Sequence, residues 1–200
     1  TELWSTKYSL DLRQYQVTYP EVIQLVQNLA DMGRKVRLIL ESATFGGSSK
    51  EYYKTRDTFI PHGVEVLPDE QLEVNFLHAK WFLLDGEKAI ISTANMSYTS
   101  YRKNREYRII VEDEWVVENL QSLYDKDWDW NFIMPGDIHP RVVFCPVNCR
   151  SALRWLIDQA ESSIRLETQY VEDPEFIEDL LVLDPSIDIQ IIVGAHQEKD

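Results

Sequence analysis

The sequence predicts an α/β fold in which a mixed β-sheet is sandwiched between helices. Three observations carry that expectation. Short apolar runs alternate with amphipathic stretches through residue 128. Asp85-Gly86 stands between two apolar runs, a strong short-range hairpin signal that makes the sheet mixed. The opening strand–helix–strand pattern also returns 154 residues later, which predicts a duplicated unit whose second copy is incomplete.

The elements follow in order. Residues 8–17 read as a strand. Pro20 opens a helix that carries Val22, Ile23, Val26 and Leu29 and closes at Gly33. Val36–Leu40 reads as a strand, and a polar loop over 42–50 holds Gly46 and Gly47. Residues 50–60 are predicted helical up to the break at His62-Gly63, and Val64–Leu67 is a short strand. The runs 73–84 and 88–94 form the hairpin, Tyr107–Val111 is a further strand, and Asp113 caps a helix with Val116, Val117, Leu120 and Leu123 on one face. Strands that alternate with helices favour a sheet covered on both faces.

A polar segment rich in turn residues then divides the chain. The predicted organisation is a first unit over 1–131, a linker over 132–141, and the front part of a second unit over 142–200. Ser9-Leu10-Asp11-Leu12 matches Ser163-Ile164-Arg165-Leu166, and Pro20, Glu21 and Ile23 match Pro174, Glu175 and Ile177 at the same offset. A helix is expected over 150–162, ahead of the second copy's first strand.

Composition excludes several functions. The charge sum of −14 argues against non-specific coating of nucleic acid and against electrostatic adhesion to an anionic membrane. No stretch approaches the roughly 18 apolar residues of a membrane span. No signal peptide opens the chain, Thr1 is not an initiator, and the compartment stays open. The 7 glycines fit neither a dinucleotide fingerprint nor a Walker A loop, so phosphate must be handled by side chains. Cys145 and Cys149 have the spacing of neither a zinc knuckle nor a redox pair and read as two buried or half-buried thiols. No metal-ligand spacing is present and no cofactor is expected. Trp115, Trp128, Trp130 and Trp155 read as core or interface aromatics, and His62, His139 and His196 as surface or loop residues.

The chemistry concentrates in Leu77-His78-Ala79-Lys80-Trp81-Phe82-Leu83-Leu84-Asp85. Strand alternation sets His78 and Lys80 on one face, with Phe82 and Leu84, and Trp81 on the other. A lysine in so apolar a strand is buried, and a buried ammonium is costly without an anionic partner. Lys80 would hold a phosphate as a point charge, and His78 would attack or shuttle a proton. Thr93 and Asn95 share a parity and flank the same spot. Tyr101 to Arg108 supplies four basic residues, Arg102, Lys103, Arg105 and Arg108. Glu106 is placed to accept a hydrogen bond from His78 and fix its tautomer.

His78, Lys80 and Asp85, then Ser92-Thr93-Ala94-Asn95, then Asn104-Arg105-Glu106, resemble the HKD motif of the phospholipase D superfamily. The resemblance implies metal-free phosphodiester chemistry through a phosphohistidine intermediate, on phospholipid or nucleic acid. It implies His78 as nucleophile or general acid, Lys80 and Asn95 as phosphate holders, Thr93 as their assistant and Glu106 as the orienting carboxylate. Arg102, Lys103 and Arg105 are expected to bind substrate. Asp85, at the opposite parity, is expected to brace the hairpin through hydrogen bonds and a basic neighbour. The family usually has Gly-Ser where this chain has Ser92-Thr93, which keeps a hydroxyl but not the close backbone approach. Members need two such motifs, and one is present here. The repeat offset carries the partner to about residue 232, and the other source is a second subunit. The competing expectation is an inactive unit that binds phosphate or dimerises.

Overall fold

The structure is a computed structural model that describes residues 2–44, 49–70, 72 and 74–194. The expectations for Gly46, Gly47 and His196, and for the start of the run at residue 73, lie outside the described residues. The chain divides into two compact units, Thr1–Val142 and Val143–Asp200.

The first unit runs β1 (Ser9–Gln14), α1 (Pro20–Asp31), β2 (Lys35–Leu40), α2 (Ser49–Phe59), β3 (Glu65–Pro68), β4 (Trp81–Leu84), β5 (Lys88–Ser92), α3 (Tyr98–Arg102), β6 (Arg108–Val111) and α4 (Glu114–Trp128). The sheet order is β3-β2-β1-β4-β5-β6. β1, β2 and β3 are parallel, and β4, β5 and β6 run antiparallel to their neighbours. The sheet is therefore mixed, as the Asp85-Gly86 signal requires. Asp85 and Gly86 both take positive φ, 57° and 69°. Asp and Gly are among the few residues that tolerate that conformation.

Alternation decides which face each side chain serves. Leu10, Leu12, Leu38, Leu40, Phe82 and Leu84 pack under α1 and α2 with Val22, Val26, Leu29, Tyr52 and Phe59. Each such side chain contributes about 1.5–3 kcal/mol on full burial. Trp81 takes the other face, edge-on to Tyr124 of α4 at 5.9 Å. That face also holds a buried polar network. Arg37 donates to both oxygens of Asp11 at 2.7 Å and to Asp125 at 2.7 Å, and Arg13 pairs with Asp127. These bonds lock β1 at the centre of the sheet, and β1 leads directly into the candidate site. The Asp113 side chain caps α4, accepting from the Val116 amide at 3.1 Å.

The expected strand over 73–84 begins only at Trp81. Arg13–Trp81 is the last registered pair between β1 and β4, because β1 ends at Gln14 and the chain turns away. β1 likewise stops short of residue 17, and Val17 makes only an isolated parallel bridge to Met96. Residues 77–80 thus lack a partner on the β1 side, although the Ser92 amide still donates to the Lys80 carbonyl at 2.8 Å. The short helix α3, capped by Ser97, was not anticipated.

In the second unit, β7 (Ser163–Thr168) and β8 (Asp188–Val193) are parallel and flank α6 (Pro174–Leu181), with α5 (Cys149–Asp158) ahead of them. α5 ends earlier than expected. The two cysteines are not free thiols. The helix start folds Cys149 back on Cys145, and a Cα separation of 4.7 Å, within disulfide reach, joins them in a disulfide. Trp128 stacks on Tyr124, but Trp115, Trp130 and Trp155 are exposed, against the core half of the expectation of core or interface positions. Their indoles find no apolar layer above them in their own unit.

Candidate active site

The candidate site lies where the chain enters β4. His78 and Lys80 precede the strand, so their shared orientation comes from a different source than strand parity. The Tyr15 ring, one residue past β1, touches both. It meets the His78 imidazole edge-on at 5.0 Å, and its centroid lies 5.3 Å from Lys80 Nζ. The Lys80 ammonium also donates to the His78 carbonyl. His78 is exposed, whereas Lys80 is 6% exposed.

These surroundings tune both bases. Burial lowers the Lys80 ammonium to about 8, and the nearby Glu106 carboxylate opposes the change. Desolvation, then the Lys80 charge, push the His78 imidazole below its ordinary value. At neutral pH the pair is a neutral imidazole beside a cation. An exposed lone pair with a buried positive charge behind it suits attack on an anionic electrophile.

Thr93 and Glu106 form a unit across the β5–β6 step. The Thr93 hydroxyl donates to Glu106 Oε2 at 2.6 Å and accepts from the Tyr107 amide at 3.0 Å. Asn104 Nδ2 donates to Glu106 Oε1 at 3.1 Å. Glu106 therefore does not hydrogen-bond His78 as expected. Its two oxygens are taken by Thr93 and Asn104, and its electrostatic pull falls on Lys80. Asn95 is half-buried, and its Oδ1 is buried without a hydrogen-bond partner among the described residues. Gln14, at the end of β1, is fully buried with neither amide atom partnered. Unpaired buried polar groups are rare in folded proteins, and each one calls for a physical explanation.

The expected basic residues are divided. Arg102 is committed to Tyr19, whose hydroxyl accepts from Nε at 2.9 Å. Tyr19 stacks on Tyr101 at 4.9 Å, and the Arg108 guanidinium lies 4.6 Å from the Tyr101 centroid. Lys103 and Arg105 are exposed on the loop between α3 and β6. Asp85 is not in the cluster, because β4 separates it from Lys80. Its carboxylate accepts from the amides of Lys7, Tyr8 and Ser9 at 2.9, 2.7 and 2.8 Å. Burial pushes its acid up, but those three N–H groups and the Lys7 charge outweigh it and hold it low.

Sequence reasoning missed Tyr15, Gln14 and Glu41. Glu41 is 4% exposed just beyond β2, and its Oε2 accepts from the Leu77 amide at 2.6 Å. The signal available for it was an acid that directly follows an apolar strand.

Comparison with known proteins covers much of the chain. The model of the cardiolipin synthase, phospholipase D-like domain matches residues 1–128. Mitochondrial cardiolipin hydrolase from Canis lupus familiaris is 24% identical over 127 residues, 64% of this chain and 48% of that protein. Cardiolipin synthase from Oceanobacillus iheyensis is 42% identical over 52 residues, 26% of this chain and 11% of that protein. The chain thus spans less than half the length of these curated relatives. Among solved structures, polyphosphate kinase from Porphyromonas gingivalis has a TM-score of 0.71 at 19% identity, covering 94% of this chain and 30% of that one. The phospholipase D family member Nuc from Salmonella typhimurium has a TM-score of 0.57 at 15% identity, covering 65% and 84%. At these identities the structural likeness speaks for the fold.

Proposed function

The chain belongs to the cardiolipin synthase, phospholipase D-like domain family, and from that premise we propose that it splits or transfers a phosphodiester through a phosphohistidine, without a metal ion. One observation carries the reading: an exposed His78 whose imidazole is kept neutral beside a buried Lys80 cation. The His78 nitrogen attacks phosphorus and the bond to the leaving oxygen breaks. Lys80 and the Asn95 amide hold the non-bridging oxygens, and Thr93 assists. Lys103 and Arg105 draw the anionic substrate in. Glu106 acts through Thr93 and Lys80 rather than by contact with His78. Water or an alcohol then takes the phosphoryl group, giving hydrolysis or transfer.

The leaving oxygen needs a proton, and a second histidine is the expected donor. We place it in a second motif, supplied either by a continuation of the chain or by a second copy of it. Relatives named for cardiolipin support a phospholipid substrate, and a nucleic-acid phosphodiester is the competing class.

The test is turnover of bis(p-nitrophenyl) phosphate in excess EDTA, with His78→Ala as the blank. Chelator-resistant turnover that vanishes in the variant is the expected result. Turnover abolished by EDTA, or equal in both proteins, overturns the reading.

A further inference from the structure

β2 and β3 are parallel neighbours whose last paired residues are Leu40 and Pro68. One step further on each chain stands an acid, Glu41 and Asp69, at 4% and 5% exposure. Parallel register sets the two carboxyl groups side by side. Burial first, and the neighbouring Asp69 second, push the Glu41 acid up to about 7.

Both carboxyl groups accept from backbone amides. Asp69 Oδ1 takes the Ser42 N–H at 2.8 Å, and Glu41 Oε1 takes the Ala43 N–H at 3.1 Å. Both bonds close the turn that follows β2. The third bond does something else. Glu41 Oε2 reaches the Leu77 amide, 36 residues away, at 2.6 Å. Leu77 is 2% exposed and immediately precedes His78. Residues 77–80 belong to no helix or strand, so no regular ladder fixes the path of the chain there. The side chain of Leu77 anchors it in the core, and Glu41 anchors its backbone.

We propose that Glu41 is a positioning residue that holds the Leu77 amide and so aims His78. The inference rests on the reading of His78 as the nucleophile. Glu41 touches no substrate and acts only through the chain.

Three substitutions separate this role from general stability. Glu41→Gln keeps the side-chain shape and an amide oxygen that accepts from Leu77. Asp69→Asn leaves the Leu77 bond in place. Glu41→Ala removes the tether, and Glu41→Met, of similar shape but without an acceptor, replaces it if alanine loosens the fold. Glu41→Ala is expected to lower kcat on bis(p-nitrophenyl) phosphate by about 10–100-fold with KM within about threefold, while Glu41→Gln and Asp69→Asn stay within about threefold of the parent. Amide exchange at Leu77 and the imidazole resonance of His78 report the same event without turnover. Both change in Glu41→Ala and stay in place in Glu41→Gln. A parent-like kcat and an unmoved His78 signal in Glu41→Ala or Glu41→Met overturn the proposal. A Glu41→Gln variant as impaired as Glu41→Ala, although it keeps an acceptor for Leu77, overturns the proposal as well. Parent turnover that EDTA abolishes, with Glu41→Ala still displacing His78, defeats the metal-free phosphodiester reading and leaves the positioning role standing.

Discussion

The two ends of β4 are built on opposite terms. At its start, Lys80 is buried with a lowered pKa of about 8, and Gln14, one residue past the last β1–β4 pair, has a buried amide unpartnered among the described residues. At its end, the Asp85 carboxylate receives three amide N–H bonds from the start of β1 and is held more acidic than usual. Four residues of strand separate an end that costs stability from one that contributes it. His78, Lys80 and Asp85 stand close together in the sequence, yet they serve two purposes. The first two are set for chemistry, and the third fixes the strand that carries them.

The largest effect expected from this contrast is in His78→Ala. Turnover should fall by at least about 10³-fold with the melting temperature nearly unchanged. Residual activity above a few per cent would remove His78 from the chemistry.

Asp85→Ala should do the reverse. Unfolding in urea should show a loss of about 2–3 kcal/mol, from the lost acceptors and an alanine forced to positive φ, with kcat per folded molecule preserved. A kcat that falls with stability intact would return Asp85 to the catalytic group. The depressed acid gives this contribution a pH signature. It is fully present above the ordinary carboxylate range and is lost as pH falls through the lowered value.

Lys80→Met should raise stability by about 1–3 kcal/mol while weakening vanadate binding. Equal anion affinity in parent and variant would show that the buried charge has another use. The sign of the linkage follows from the lowered pKa. The folded state holds fewer protons than the unfolded state between about 8 and the ordinary lysine value, so stability rises with pH across that window.

The smallest effect lies in the pH profile of kcat/KM. It should rise as His78 loses its proton below its ordinary value and fall near pH 8 as Lys80 loses its charge. Lys80→Arg should remove the alkaline limb, and an unmoved limb assigns it to another group.

Much of this was legible because it depends on local rules. Pro20 before an apolar stripe, Asp113 three residues ahead of the Val116 amide it caps, and Asp85-Gly86 between strands each specify their own geometry. The alternation that puts Phe82 under α1 and Trp81 under α4 was legible for the same reason. The shortened β4 was not, because its start is set by where β1 ends, nearly seventy residues earlier in the chain. Glu106 was assigned to His78 because its charge was visible and its competitors, Thr93 and Asn104, were not. Tyr15 and Glu41 come from the ends of other strands, and only the sheet order brings them to residues 77–80.

The Asp85 bonds to Lys7, Tyr8 and Ser9 join positions 76 to 78 residues apart. The β4–β5 hairpin closes over a loop of three residues and can form early, whereas closing the larger loop carries a far greater entropic cost. β1 is therefore expected to dock against the hairpin late in folding, with Asp85 acting mainly after the rate-limiting barrier. Its removal should speed unfolding and leave the refolding rate nearly unchanged. Asp85 thereby sets how long the sheet persists once formed, and with it the working lifetime of His78 and Lys80.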